Sequence, residues 1–305
     1  MSEYVLGVDG GGTKTDAIII NLNLNVVGKA SNGGANWESL GVEKALASLE
    51  EVIKEAIKDA EISASEIKCA TLAIAGVDWP ADESLYRPIA DRLHLQNVEI
   101  MNDSFAALYA GSENLEGVVS IAGTGGKTAG IKGGTKYQSM GMELGEGGGA
   151  GQLVGLALEY IAKQFHHTAP ESALSDLIPS HLGFKSRTSF FEAVARKGLH
   201  LKESFAPEIF KLAEQNDPGA LYAVENTALQ HAQDVVGAAK ILGFENEEFT
   251  VVRAGGLHTA GCKPFDNVFS NYLKTNLPNA KLVVLSKSPV IGAAIHAIRN
   301  SVTTK

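Results

Sequence analysis

The chain has 305 residues, with 35 acidic against 26 basic side chains and a formal net charge of −9. That balance disfavours the basic, counterion-releasing surface of a nucleic-acid binder and attachment to an anionic membrane. A composition that is 45% hydrophobic and 20% charged is globular rather than disordered, and the length suits two domains or one large one. Cys69 and Cys262 lie outside any CxxC or Cys/His cluster, so neither a disulfide framework nor a cysteine-held metal or iron–sulfur centre is expected. The first apolar stretch, Tyr4–Val8, is too short for a signal peptide. No apolar run approaches the roughly 18 residues of a membrane span. A soluble cytoplasmic protein is expected.

Tyr4–Val8 reads as a strand that meets Asp9 and three glycines. Ala17–Ile20 and Val26–Ala30, separated by the turn-rich 21–25 stretch, continue it as a hairpin. Val42–Ile57 carries Leu46, Leu49, Ile53, Ala56 and Ile57 at helical spacing. Cys69–Ala75 predicts a buried strand, Leu85–Leu93 a helix, Val98–Met101 a short strand and Asp103–Ala110 a helix. Val118–Ala122 opens a second strand–glycine–strand block, followed by a helix at Gln152–Gln164. From Ser172 to Leu242 the pattern is helical, with breaks at Pro179–Gly183, Gly198 and Asp217–Gly219. Phe249–Ala254 and Lys281–Leu285 predict strands, and Val290–Ile298 a closing helix with Pro289 in its first turn. The mixture predicts an α/β fold.

The 33 glycines exceed the average share of about 7%, and they cluster between patterned segments, where missing Cβ atoms let backbone approach a ligand. Two clusters repeat each other. Leu6–Ile18 reads LGVDGGGTKTDAI and Val119–Ile131 reads VSIAGTGGKTAGI; at a constant offset of 113, Gly10 matches Gly123, Gly12 matches Gly125, Lys14 matches Lys127 and Thr15 matches Thr128. Two glycine turns whose N–H groups and threonine hydroxyls form anion cradles could grip a polyphosphate from both sides. Asp9 corresponds to Ala122, so only the first turn carries a carboxylate. It could hold Mg²⁺, which takes one or two carboxylates alongside phosphate oxygens, or merely cap the turn.

Other motifs fail. Gly126-Lys127-Thr128 resembles the end of a P-loop, but Ile121 stands where its first glycine belongs. Gly145–Ala150 formally fits GxGxxG/A without following a strand. There is no HExxH and no GxSxG. His166 and His167, adjacent in sequence, read as a solvated helix end.

Taken together, DGGGTKT, AGTGG, Asn102-Asp103-Ser104 and Gly255-Gly256 after a strand resemble the actin-like ATPase superfamily of sugar kinases, Hsp70 and actin. The tripled glycine, Asn36 in GGANW, NDSFAAL and PVIGAAIHAI are most similar to its BadF/BadG/BcrA/BcrD ATPase branch of N-acetylglucosamine kinase type. The resemblance spans nearly the whole chain. It implies two ribonuclease-H-like domains facing across a nucleotide cleft: 1–113, joined by a closing helix at 288–305, and 114–287. It implies ATP with Mg²⁺, and a homodimer. Gly11, Gly12, Thr13 and Lys14 would hold the β/γ-phosphates, with Thr124, Gly125 and Gly126 opposite and Gly255 and Gly256 against adenosine. Asp103 would be the catalytic base; by itself it could equally cap a helix. Asn36, Trp37, Gly76, Thr124 and Glu146 would line the sugar side.

The sequence departs from that pattern at Gly145–Gly149 (GEGGG), where the kinases carry a GDEGS-like segment, and at Gly126-Lys127, where they carry Ser-Asn. These changes touch the substrate side more than the nucleotide side. The expected activity is MgATP-dependent phosphorylation of an amino sugar, N-acetylglucosamine or glucosamine. A kinase for 2-keto-3-deoxygluconate or a plain hexose is the alternative, as is a nucleotide-dependent regulatory protein without transfer activity. An ATPase driving electron transfer would need paired cysteines that the chain lacks.

Overall fold

The computed structural model describes residues 3–141, 145–199, 201 and 203–303. In chain order these form β1 (Tyr4–Gly10), β2 (Lys14–Asn21), β3 (Val26–Gly33), α1 (Trp37–Leu40), α2 (Val42–Asp59), β4 (Ile67–Ile74), α3 (Glu83–Arg92), β5 (Val98–Met101) and α4 (Asp103–Gly111). A second series follows: β6 (Gly117–Ala122), β7 (Gly126–Lys132), β8 (Thr135–Gln138), α5 (Ala150–Phe165), α6 (Leu174–His181), α7 (Arg187–Lys197), α8 (Ala206–Glu214), α9 (Pro218–Leu242), β9 (Phe249–Ala254), α10 (Gly256–Thr259), α11 (Lys263–Asn276), β10 (Ala280–Val284) and α12 (Pro289–Thr303). The fold is α/β, as the mixed pattern predicts.

The two series build the same sheet twice. One five-stranded sheet runs β3-β2-β1-β4-β5 and the other β8-β7-β6-β9-β10. In each, the first strand pairs antiparallel with the second and parallel with the fourth, so the glycine-turn repeat belongs to a repeated topology. Its register is less regular than the constant offset suggests. Gly10 pairs with Thr15 and Ala122 with Gly126, so four residues bridge the first turn and three the second.

Each sheet has its own apolar core, one around Leu49, Ile53, Leu72 and Tyr86, the other around Leu153, Phe190, Ile209 and Phe265. Two helices cross between them. α4 follows β5 of the first sheet, yet Phe105 and Tyr109 pack with Val119, Ile131 and Val252 of the second. α12 follows β10 of the second, yet Ala294 and Ala297 pack with Val5, Ile20 and Cys69 of the first. The crossing is close: a Cβ on Gly292 would lie 2.0 Å from the Ala106 carbonyl oxygen, and one on Gly7 would lie 2.4 Å from the Ala294 nitrogen.

Local signals set most boundaries. The Asp217 side chain accepts from the Gly219 and Ala220 N–H groups, Pro218 opens α9, and Gly243 at φ 75° closes it in the left-handed region. α7 ends at Gly198 in the same way. Strand β8 and helix α11 were not legible in chain order. α11 has the signals of a helix, Pro264 in its first turn with Phe265, Phe269 and Leu273 on its buried face, but β8 is four residues long and polar. No helix among the described residues is long and apolar enough to cross a membrane.

Candidate active site

The first glycine turn is closed by the Gly11 N–H donating to the Lys14 carbonyl at 2.8 Å. Asp9 lies before it, inside the strand pair and opposite Asp16. The 33–35 backbone lies behind the turn: Ala35 N–H donates to the Gly11 carbonyl at 3.0 Å, and a Cβ on Gly34 would come within 2.1 Å of the Gly12 oxygen. A Cβ on Gly12 itself would meet nothing within 4 Å. Lys14 is exposed and pairs with Asp16 of its own hairpin at 2.8 Å.

The second turn rests on the glycine-rich 145–149 stretch. A Cβ on Gly149 would lie 2.3–2.5 Å from the carbonyl oxygens of Gly123, Thr124 and Gly125, and one on Gly126 would lie 1.8 Å from the Gly147 oxygen. Ala150 N–H donates to Gly123 O at 2.8 Å. Gly125 and Gly256 face open space, whereas Gly255, at φ 89°, packs on the backbone of Ala122 and Gly123. The glycines of the site therefore divide into those pressed on neighbouring backbone and those facing open space, a division no glycine pattern reveals.

The supporting stretch is pinned residue by residue. Glu146 accepts from the N–H groups of Met140 (2.6 Å) and Gly141 (2.8 Å), Gly147 N–H donates to Asp234, and Gly148 N–H donates to Gln152 at 2.9 Å. Beneath it runs a buried chain whose direction Arg253 sets, because a guanidinium only donates. Arg253, ion-paired to Asp266, donates from Nε to His258 Nδ1 at 3.2 Å. His258 Nε2 then donates to Ser120 Oγ (3.0 Å), Ser120 to His231 Nδ1 (3.2 Å), and His231 Nε2 to the Gly148 carbonyl (2.7 Å). Burial holds both imidazoles neutral, His231 down at about 4 and His258 well below its usual value. A Cβ on Gly147 would lie 2.7 Å from His231 Nδ1, so the place of the kinases' glutamate has no room for a side chain. His231→Phe removes the acceptor of the Ser120 hydroxyl hydrogen and the donor to the Gly148 carbonyl, at about 1–3 kcal/mol each. Its expected result is a lower thermal midpoint together with a raised nucleotide KM, measured by melting and steady-state kinetics.

Asp103 is the first residue of α4, and the cap is Asn102, whose Oδ1 accepts the Ser104 N–H at 3.0 Å. The capping role that Asp103 could have filled is thus taken by its neighbour. Burial first, then repulsion from Asp78, pushes the Asp103 carboxyl up to about 6, against the pull of Lys127 and of the helix-start N–H groups. Asp9 is pushed up to about 7 by burial, then by Asp103 and Asp16. Asn36, Trp37 and Gly76 come together at one corner. Trp37 Nε1 donates to the Gly76 carbonyl at 2.8 Å, and Gly76 sits at φ 83° with its Cβ direction filled by Asn36 Oδ1. Asn36 Oδ1 also caps α1, accepting the Glu38 N–H at 2.8 Å. Asn102 Nδ2 reaches Asp78 Oδ1 at 2.8 Å, tying the segment after Gly76 to the Asp103 helix.

Beside the second turn, Thr124 and Gly256 share a cavity of 570 Å³ with Ala206, Pro207, Phe210 and Leu257. Its apolar walls come from α8 and α10 and suit a flat heterocycle. Nothing in the α8 sequence singles those residues out, since an apolar helix face reads as core. For a cation, among the described residues no three His, Cys, Asp or Glu side chains gather as a resident metal site. Asp9, whose carboxyl is pushed up by burial and then by the charge of Asp103, is a carboxylate that could hold Mg²⁺ arriving with a nucleotide, whose phosphates would complete its shell.

The profile of the BadF/BadG/BcrA/BcrD ATPase family matches residues 6–297. The N-acetylmuramic acid/N-acetylglucosamine kinase of Clostridium acetobutylicum is 26% identical over 302 residues, 97% of this chain and 98% of that one. The glucosamine kinase of Vibrio cholerae is 30% identical over 234 residues, 74% of this chain and 76% of its own. Among solved structures, the ROK hexokinase of Thermus thermophilus covers 99% of this chain and 100% of its own with a TM-score of 0.58 at 21% identity, a likeness of fold. With a match running from the first strand into the closing helix, the chain belongs to the BadF/BadG/BcrA/BcrD ATPase family.

Proposed function

We propose that this protein is a MgATP-dependent kinase that transfers the γ-phosphate to a hydroxyl of an amino sugar of the N-acetylglucosamine or glucosamine type. The observation that carries the reading is Asp103. It is a partly buried carboxylate with a raised pKa, freed from capping by Asn102, on a helix that both lobes contact. The relatives that act on amino sugars support the acceptor class. We assign residues 1–113 with the closing helix 288–305 to the sugar lobe and 114–287 to the adenosine lobe.

In this reading Gly11–Lys14 and Thr124–Gly126 hold the phosphates, Gly255, Gly256 and the 570 Å³ cavity hold adenosine, and Asn36, Trp37 and Gly76 face the sugar. Asp103 takes the hydroxyl proton as the sugar oxygen bonds to the γ-phosphorus, and the bond from that phosphorus to ADP breaks. Asp9 would hold Mg²⁺, which would supply charge neutralisation for the phosphates. Glu146, assigned to the sugar side by resemblance, has its carboxylate on two backbone N–H groups, so we give it the role of shaping the 140–141 loop.

The test is MgATP-dependent ADP release with N-acetylglucosamine, glucosamine, glucose, N-acetylmuramic acid and 2-keto-3-deoxygluconate. Strong stimulation by an amino sugar supports the reading; flat turnover across the panel removes it. Gly256→Val tests the adenosine side. A Cβ there meets nothing in the protein, so the fold is expected to persist while the ATP KM rises about tenfold, the loss of roughly 1.4 kcal/mol of binding.

A further inference from the structure

Lys127 is the first side chain after the second glycine turn, and it does not stay in its own lobe. Its Nζ donates to Asp78 Oδ1 at 2.8 Å, with the two side chains only 11% and 14% exposed. The same oxygen accepts Asn102 Nδ2 at 2.8 Å, and Asn102 caps the helix that begins with Asp103. From β8 of the second sheet, Gln138 Nε2 donates to the Asp78 carbonyl at 2.8 Å. Gly141, at φ 76°, covers the pair closely: a Cβ there would lie 3.3 Å from Lys127 Nζ and 3.5 Å from Asp78 Oδ2. Lys14, its counterpart in the sequence repeat, makes no such crossing and pairs within its own hairpin.

The consequence is geometric. The base rides on an element that leaves the first sheet, while the second phosphate turn belongs to the second. In-line transfer needs reacting atoms about 3–3.5 Å apart, and an error of about 1 Å costs on the order of 100-fold in rate. A largely buried ion pair contributes little net stability, because desolvation offsets the attraction, but it fixes the two groups it joins. Resting on the kinase reading above, we infer that Lys127 and Asp78 are positioning residues that set the spacing between Asp103 and the second phosphate turn. Lys127 acts through Asp78 and Asn102 and is not itself a phosphate ligand.

The experiment compares Lys127→Ala, Lys127→Arg, Asp78→Asn and the double variant Lys127→Ala/Asp78→Ala, using whichever sugar stimulates the unaltered protein. Lys127→Ala is expected to lower kcat about 30-fold or more with the ATP KM within about threefold. Lys127→Arg should recover most of the loss, and the double variant should be no worse than the single, as coupling predicts. A kcat within about threefold of the unaltered protein overturns the inference. So does a loss confined to the ATP KM, which would make Lys127 a phosphate ligand instead.

A second readout is independent of activity. Nitroxides at Glu55→Cys on α2 and Lys274→Cys on α11, both exposed positions, report the lobe separation, since the native Cys69 and Cys262 are buried. The nucleotide-free distance distribution is expected to broaden in Lys127→Ala; an unchanged distribution overturns the clamp. If no sugar stimulates the unaltered protein, the kinase reading fails on that result, and the distance measurement still decides whether Lys127 holds the lobes.

Discussion

Asp103→Asn is expected to lower kcat about 1,000-fold, within the 10²–10⁴ that a positioned general base contributes, while nucleotide affinity stays within a few-fold. The amide keeps the shape and leaves the Asn102 cap intact, but it accepts no proton. Single-turnover transfer and equilibrium nucleotide binding, measured separately, check both halves. Unchanged transfer removes Asp103 as base. The pH profile gives a second check. With the Asp103 carboxyl at about 6 and that of Asp9 at about 7, kcat/KM for the sugar should fall below pH 7 and more steeply below pH 6, and the steeper part should be absent from the residual activity of the variant.

The same shift predicts an opposite effect on stability. The folded-state pKa is raised, so folding favours the protonated form. That contribution is fully present below the unfolded value near 3.8 and is lost as pH rises through about 6. At pH 8 the ionised carboxylate is held at a cost, and Asp103→Asn should melt higher than the unaltered protein; at pH 5 the gap should narrow. Melting curves at the two pH values decide it. A gap that widens on acidification contradicts the electrostatic account. Activity and stability thus pull apart at this residue, as expected where a buried charge is kept for chemistry.

Gly12→Val is expected to raise the ATP KM about 100-fold or more while leaving the fold intact. A Cβ at Gly12 meets no protein atom within 4 Å, so the side chain enters open space, where on the proposed kinase reading it would displace phosphate from the turn's N–H groups. Hydrogen bonds to charged groups are worth about 1.5–3 kcal/mol each, and losing two accounts for the size of the effect. Gly149→Ala is the contrast. Its Cβ would fall within 2.5 Å of three carbonyl oxygens, so that variant should lose the second turn's support and melt lower. Nucleotide binding by calorimetry, read beside a melting curve, separates the two. Normal ATP affinity in Gly12→Val removes the first turn from the phosphate site.

Much of this protein was legible in its sequence because the relevant signals are local. Both glycine turns end apolar strands, and Asn102, Asp217 and Gly243 sit at helix boundaries where their side-chain or backbone chemistry is required. The order Asn-Asp at the start of α4 contains the answer to which residue caps, but only the geometry selects Asn102 over Asp103. The repeat was legible too, and the two sheets share one strand order. Its fine register was not: a three-residue second turn against a four-residue first one sends two lysines of matching sequence to different partners.

What the tertiary structure decided are contacts between distant segments. The glycines of the 145–149 stretch read as a disrupted sugar motif, yet Gly149 is the floor under the second turn and Gly147 leaves space for His231, far along the chain. The exchange of α4 and α12 between the sheets, the Arg253–His258–Ser120–His231 chain and the α8 wall of the cavity beside Thr124 and Gly256 likewise join residues that no spacing rule connects. The physical reason is range. Periodicity, caps and turns record interactions between a residue and its near neighbours in the chain. Which open face a glycine presents, and which carboxylate a lysine meets, depends on where the two sheets bring their backbones together.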